Sequence, residues 1–156
     1  MPSIEDLYRE IILDHYRNPR NRGELEPPAH RSEGFNPLCG DEIVVYLDVA
    51  DGVVNDIKIG GQGCSISQSS ASMMSSAVKG KPVDEARRIV RAFKSMMSIH
   101  EHALEGEANE PEDLSDVKLG DLEALRGVVK FPVRIKCATL AWNTFTQGLD
   151  EAQPQE

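Results

Sequence analysis

Ile4, Leu7, Tyr8, Ile11 and Ile12 recur at three- and four-residue steps, and His15 completes the same stripe. That period predicts an amphipathic helix over about 4–17. Ser3 stands at the N-cap position, Asp6 suits the first turn, and Asn18-Pro19 stops the helix. Residues 18–37 hold four prolines and two glycines among many charges and read as a loop. From Glu42 the period changes to two: Glu42–Val49 and Val53–Ile59 are rich in β-branched residues. Asp51-Gly52 lies between them and tolerates positive φ, so the pattern predicts an antiparallel hairpin over 42–59. A lone hairpin is marginal. A third strand is therefore expected, from 29–35 or from a short piece at 61–64.

Beyond Gly63 the chain is small, serine-rich and free of breakers, with Ile66, Met73, Met74 and Ala77 on one face. This predicts a closely packed helix over 65–78, ended by Lys79-Gly80. Pro82 opens the next helix, whose stripe runs Val83, Ala86, Ile89, Val90, Phe93, Met96, Met97 and on to Leu104. Residues 105–118 are acidic and irregular. A short helix over 121–125 ends near Gly127, and Pro132 starts a last helix bearing Ile135, Ala138, Leu140, Ala141, Trp142 and Phe145. The methionine pairs read as core filler. The elements give an α+β fold: a small three-stranded antiparallel sheet with helices packed on one face. One domain over 1–149 and a disordered tail over 150–156 are expected.

The 156 residues carry 17 Lys and Arg against 26 Asp and Glu, a net charge of −9. Phosphate contacts need clustered cations, so this balance speaks against a nucleic-acid partner. The N-terminal stretch reads as an amphipathic helix rather than a leader, and no apolar run is long enough for a membrane span. A cytoplasmic location is the expectation.

The chain has three cysteines, and an odd count does not suit a disulfide framework. Cys39 lies in a turn before the first hairpin strand. Cys64 follows Gly60-Gly61-Gln62-Gly63 at a helix entrance, and Cys137 lies about one turn into the last helix. Two of the three thus stand at helix N-termini, where the dipole and free N–H groups favour a thiolate. The glycine run lacks the Gly-Lys-Ser/Thr of a phosphate loop and the dinucleotide spacing. It reads better as a close backbone approach that aims Cys64. Cys39 and Asp41 are two apart, and in extended backbone both would point the same way. Cys39, Asp41, Cys64 and Cys137 would together give three sulfurs and one oxygen, a set that Zn²⁺ accepts tetrahedrally. No Cys-x-x-Cys knuckle is present, so the spacing leaves open one structural thiol and two incidental ones. His100 and His102 diverge on a helix and do not form a metalloprotease pair. They, with His15 and His30, read as structural or surface residues. The elements of a zinc nucleobase deaminase are missing.

Three stretches, Asn36-Pro37-Leu38-Cys39-Gly40-Asp41, Gly61-Gln62-Gly63-Cys64-Ser65-Ile66-Ser67 and Lys136-Cys137-Ala138-Thr139-Leu140-Ala141-Trp142, together with the opening Leu7-Tyr8…Asp14-His15-Tyr16, resemble the IscU-type iron–sulfur cluster assembly family. The resemblance runs from about Tyr8 to Leu149 and is closest to the SufU branch. It implies that Cys39, Asp41, Cys64 and Cys137 are the metal ligands and that the fold is α+β. IscU-type scaffolds place a His before the third cysteine, where this chain has Lys136. Their Leu-Pro-Pro-Val-Lys chaperone signal is replaced by Val129-Lys130-Phe131-Pro132-Val133. The acidic segment near 105–122 looks like the insertion of the SufU branch. These departures favour a zinc-dependent sulfur acceptor for a PLP-dependent cysteine desulfurase, feeding downstream iron–sulfur assembly proteins. The alternative is a scaffold holding a [2Fe–2S] cluster on the same cysteines, and a structural zinc module is a third reading.

The resemblance further implies that a partner histidine takes a ligand position and frees one cysteine. Cys39 is the expected acceptor, because it lies on a loop while helices fix Cys64 and Cys137. Arg134, one turn before Cys137, is placed to stabilise a departing thiolate or a persulfide, and reads equally as a solvated arginine.

Overall fold

The computed structural model describes residues 4–26, 29–36, 40–97, 120–130 and 132–152. The order is α1 (Ile4–Arg17), β1 (His30–Asn36), β2 (Asp41–Ala50), β3 (Val53–Gln62), α2 (Ser65–Val78), α3 (Val83–Met97), a 3-10 segment (Gly120–Lys130) and α4 (Pro132–Ala152). The strands form an antiparallel sheet in the order β1-β2-β3. The expected hairpin is present, turning at Asp51 and Gly52 with φ of 55° and 74°. The third strand is the 30–36 piece, and the 61–62 residues extend β3 instead.

Alternation sets one face of the sheet inward. Ile43, Val45 and Leu47 of β2 and Val54, Ile57 and Ile59 of β3 are buried against α2 and α4. Trp142 of α4 stacks on Phe93 of α3, ring centroids 4.2 Å apart. Its indole N–H donates to the Ser70 hydroxyl at 2.9 Å, and that hydroxyl donates to the Ala138 carbonyl at 2.6 Å. The serines of α2 thus let two helices approach closely while their polar atoms stay paired. Met73, Met74, Met96 and Met97 fill the core as expected.

Two boundaries differ from the sequence reading. The 3-10 segment passes Gly127 and reaches Lys130, because Leu122, Leu125 and Val128 are all buried and hold it down. Helix α4 runs to Ala152, into the expected tail, with Asp150 paired to Arg87 at 2.8 Å. Residues 153–156, the expected end of α3 toward Leu104, the acidic segment, His100 and His102 lie outside the described residues.

The stretch read as a loop after α1 carries an added function. Asn21 accepts from the Ile59 amide at 2.9 Å and Gly23 donates to the Ile59 carbonyl at 3.1 Å, so residues 18–23 form a strap on the free edge of β3. The same strap is tied to α2: the Arg20 amide donates to Ser72 Oγ at 2.8 Å and the Asn21 side chain to Ser75 Oγ at 3.0 Å. An unpaired strand edge is thereby covered.

Candidate metal centre

Asp41 opens β2 on its inward side, in line with Ile43, Val45 and Leu47, so the pleat carries its carboxylate beneath the helices. Its register partner across the sheet is Asn36, also buried. Cys64 is the N-cap of α2, with extended backbone, and its sulfur makes no capping bond. Asp41 holds the turn into the helix: Oδ1 accepts the Cys64 amide at 2.9 Å, while Oδ2 lies 3.9 Å from Cys64 Sγ. Cys137, buried in the second turn of α4, comes within 3.9 Å of the Asn36 amide nitrogen.

One ligand atom from each of Asp41, Cys64 and Cys137 lies within 4.8 Å of the other two. Two thiolates on one tetrahedral zinc stand about 3.8 Å apart, by the bond lengths of such sites. Two sulfurs and a carboxylate oxygen at this spacing fit a thiophilic divalent ion. The Asp41 oxygens are divided by their bonds, one to the backbone and one turned to the sulfurs, which leaves a monodentate donor.

The glycines allow this closeness. A Cβ on Gly63 would come 2.5 Å from Asp41 Oδ1 and 2.7 Å from Ser67 Oγ. Gly61, at φ +105°, would place a Cβ 2.2 Å from the Glu42 carbonyl oxygen. The expected close approach is therefore real, and the loop approached is the start of β2.

Arg134 is exposed at the mouth of the cluster. The charge of Cys64, then a hydrogen bond and charge from Cys137, raise its guanidinium pKa above the ordinary arginine value. The guanidinium thus lies near enough to Cys64 and Cys137 to interact with both.

Cys39 lies outside the described residues. Gly40, between it and Asp41, has φ +69°, so the backbone at that residue is not the extended one expected. His15 and His30 are placed as structural residues. His15 is buried between Ser72 and Asp121, and His30 meets Glu151 at 3.0 Å. Asn36, the first residue of the stretch that ends at Asp41, is a part of the site for which the sequence carries no separate signal. No described helix is long and apolar enough to cross a membrane.

Comparison with known proteins agrees with this geometry. The NifU-like N-terminal domain family matches residues 7–138. A zinc-dependent sulfurtransferase SufU of Bacillus subtilis is 44% identical over 94% of this chain and 92% of its own length. An iron–sulfur cluster assembly scaffold protein IscU of Streptococcus pyogenes is 35% identical over 96% of this chain and 86% of its own. The crystal structure of the N-terminal part of a nitrogen-fixing NifU-like protein from Brucella abortus superimposes with a TM-score of 0.78 at 25% identity, covering 98% of this chain and 99% of that one. With the three-stranded sheet, the helices on one face and the Asp–Cys–Cys cluster all in place, the chain belongs to the NifU-like N-terminal domain family of IscU-type proteins, with SufU- and IscU-named proteins among its relatives.

Proposed function

We propose that this protein acts in iron–sulfur cluster biogenesis as a zinc-dependent sulfur acceptor, taking persulfide sulfur from a PLP-dependent cysteine desulfurase and stimulating its turnover. The observation that carries the reading is the convergence of Asp41, Cys64 and Cys137 within 4.8 Å, from three elements far apart in sequence. The likeness to a SufU named as a zinc-dependent sulfurtransferase supports it. Asp41, Cys64 and Cys137 would hold the ion, with Cys39 as fourth ligand. A bound zinc ion keeps its thiol ligands deprotonated at neutral pH.

Cys39 is the acceptor in this proposal. Its thiolate attacks the outer sulfur of the desulfurase persulfide; a new S–S bond forms on Cys39, the old one breaks, and the desulfurase keeps the electron pair as a thiolate. Arg134 lies near both cysteines and would offset the negative charge that gathers there. Burial of Asp41 and Cys137 keeps water from the metal-binding side.

The test measures desulfurase turnover with zinc-loaded protein, zinc-stripped protein and Cys39→Ala. Stimulation by the loaded protein alone, with Cys39→Ala inert, is expected. Equal persulfide acceptance by Cys39→Ala would remove the acceptor assignment. The second reading, a [2Fe–2S] scaffold, is favoured by the likeness to the IscU-named relative. Anaerobic reconstitution separates the two: a stable cluster that transfers to an apo-protein would establish scaffolding.

A further inference from the structure

The strap after α1 reaches the metal centre through one side chain. Arg22 Nη2 donates to the Gly61 carbonyl at 2.5 Å, and Nη1 donates to Gln68 Oε1 at 3.0 Å. Gly61 belongs to the run that enters Cys64. Gln68 lies in the first turns of α2, where its amide donates to the Cys64 carbonyl at 3.1 Å. Its side-chain nitrogen donates to Ser67 Oγ at 3.4 Å, and Ser67 in turn donates to the Cys64 carbonyl at 3.2 Å. One guanidinium therefore spans both arms of the turn that carries Cys64, the strand end and the helix start.

We infer that Arg22 is a positioning residue for the metal centre: by clamping Gly61 to Gln68 it fixes the Cys64 turn against Asp41. The inference rests on the metal-binding reading above. Three features support a positioning role over a general structural one. The strap's backbone stays tied to β3 and α2 by the bonds of residues 20, 21 and 23 when the Arg22 side chain is removed. Arg22 is exposed, so its loss leaves no cavity in the core. The turn it clamps contains two glycines, Gly61 and Gly63, and has little side-chain packing of its own to hold it. A lysine cannot replace the fork, because a single ammonium does not reach two acceptors in that geometry with planar donors.

The test compares wild type, Arg22→Ala, Arg22→Lys and Arg20→Ala. Arg20 lies in the same strap, but among the described residues its guanidinium bonds Asp14 and the Asn18 carbonyl and neither arm of the Cys64 turn. Amide hydrogen exchange over residues 61–66 is measured on the metal-free protein, and the rate of zinc transfer to a chromogenic chelator on the loaded one. Removing an outer partner of a metal ligand typically weakens binding about 10- to 100-fold. Arg22→Ala is expected to speed both exchange and zinc loss at least about tenfold, with Arg22→Lys close to Ala, Arg20→Ala unchanged, and thermal midpoints all within about 2 °C of wild type. Unchanged exchange in Arg22→Ala overturns the clamp. Faster exchange with unchanged zinc loss overturns its bearing on the metal. Equal effects in Arg20→Ala show a strap that is only structural. If wild type holds no zinc, the metal reading fails and the positioning role fails with it, while the exchange result still decides whether the clamp exists.

Discussion

Two polar clusters adjoin α2 at different points along it, and both contain residues that elsewhere do chemistry. At its N-terminus Asp41, Cys64 and Cys137 gather. On its flank His15 Nδ1 meets Ser72 Oγ at 2.8 Å and His15 Nε2 meets Asp121 Oδ2 at 2.9 Å, which is the residue set of a serine hydrolase. The second cluster is nevertheless a latch. Ser72 is 1% exposed and its oxygen already accepts the Arg20 amide. Both ring nitrogens of His15 have a partner there, Ser72 at Nδ1 and Asp121 at Nε2. The first cluster is built differently. A carboxylate oxygen and two sulfurs lie within 4.8 Å of one another, beside a helix N-terminus and a guanidinium that favour negative charge. A site is marked by how its ligand atoms converge, and residue identity alone does not show that.

The comparison breaks most sharply on metal content. Loaded wild type is expected to carry about one zinc per chain. Asp41→Ala, Cys64→Ala and Cys137→Ala should each fall well below that by elemental analysis, while His15→Ala keeps it. Zinc loss in His15→Ala to the same degree would merge the two clusters into one.

Stability comes next. His15→Ala removes two hydrogen bonds, while Ser72 Oγ keeps the Arg20 amide. At about 0.5–1.5 kcal/mol for each bond, the loss is about 1–3 kcal/mol. At about 2–4 °C per kcal/mol for a chain of this size, the thermal midpoint should drop by about 2–12 °C. Asp121→Asn should cost less, since the Asp121 side chain is 60% exposed. Midpoints equal to wild type in both would leave the latch without a role.

A finer probe stays inside the metal centre. Gly63→Ala drives a methyl group into Asp41 Oδ1 and Ser67 Oγ. The buried carboxylate has to shift, so zinc affinity should weaken about tenfold, as for other disturbances next to a ligand. Competition with a chelator of known affinity measures it. Unchanged affinity would mean that the Asp41 oxygen does not serve the ion.

Much of this contrast could be seen along the chain. Periodicity placed α1, the hairpin, α2 and the start of α4, and the glycine run before Cys64 announced a close approach. His15 fell on the buried stripe of α1 in the sequence. Its partners could not be foreseen, since Ser72 is 57 residues away and Asp121 is 106. The strap at 18–23 gave no periodic signal, because it is held by backbone bonds to Ile59 that any residue type can make. Between 29–35 and 61–64 the sequence did not choose a third strand. The choice depends on burial of Ser32 and Asn36 against α4, a tertiary fact.

The smallest effect distinguishes the strap from the latch beside it. Asp14, next in sequence to His15, is held below its ordinary pKa of 3.8 by a hydrogen bond from Arg20, then by Asn18. A carboxylate whose folded pKa is depressed adds stability above its unfolded value and loses it as pH falls through the folded one. Asp14→Asn should therefore lower the thermal midpoint by a small, constant amount from pH 7 to pH 5. That difference should shrink as the pH drops below 3.8. The group is fully exposed and screened by solvent, so high salt should shrink the difference as well. A gap between wild type and Asp14→Asn that widens on acidification would assign the effect to the helix rather than to the Arg20 contact. The strap would then be tied down without help from Arg20's side chain.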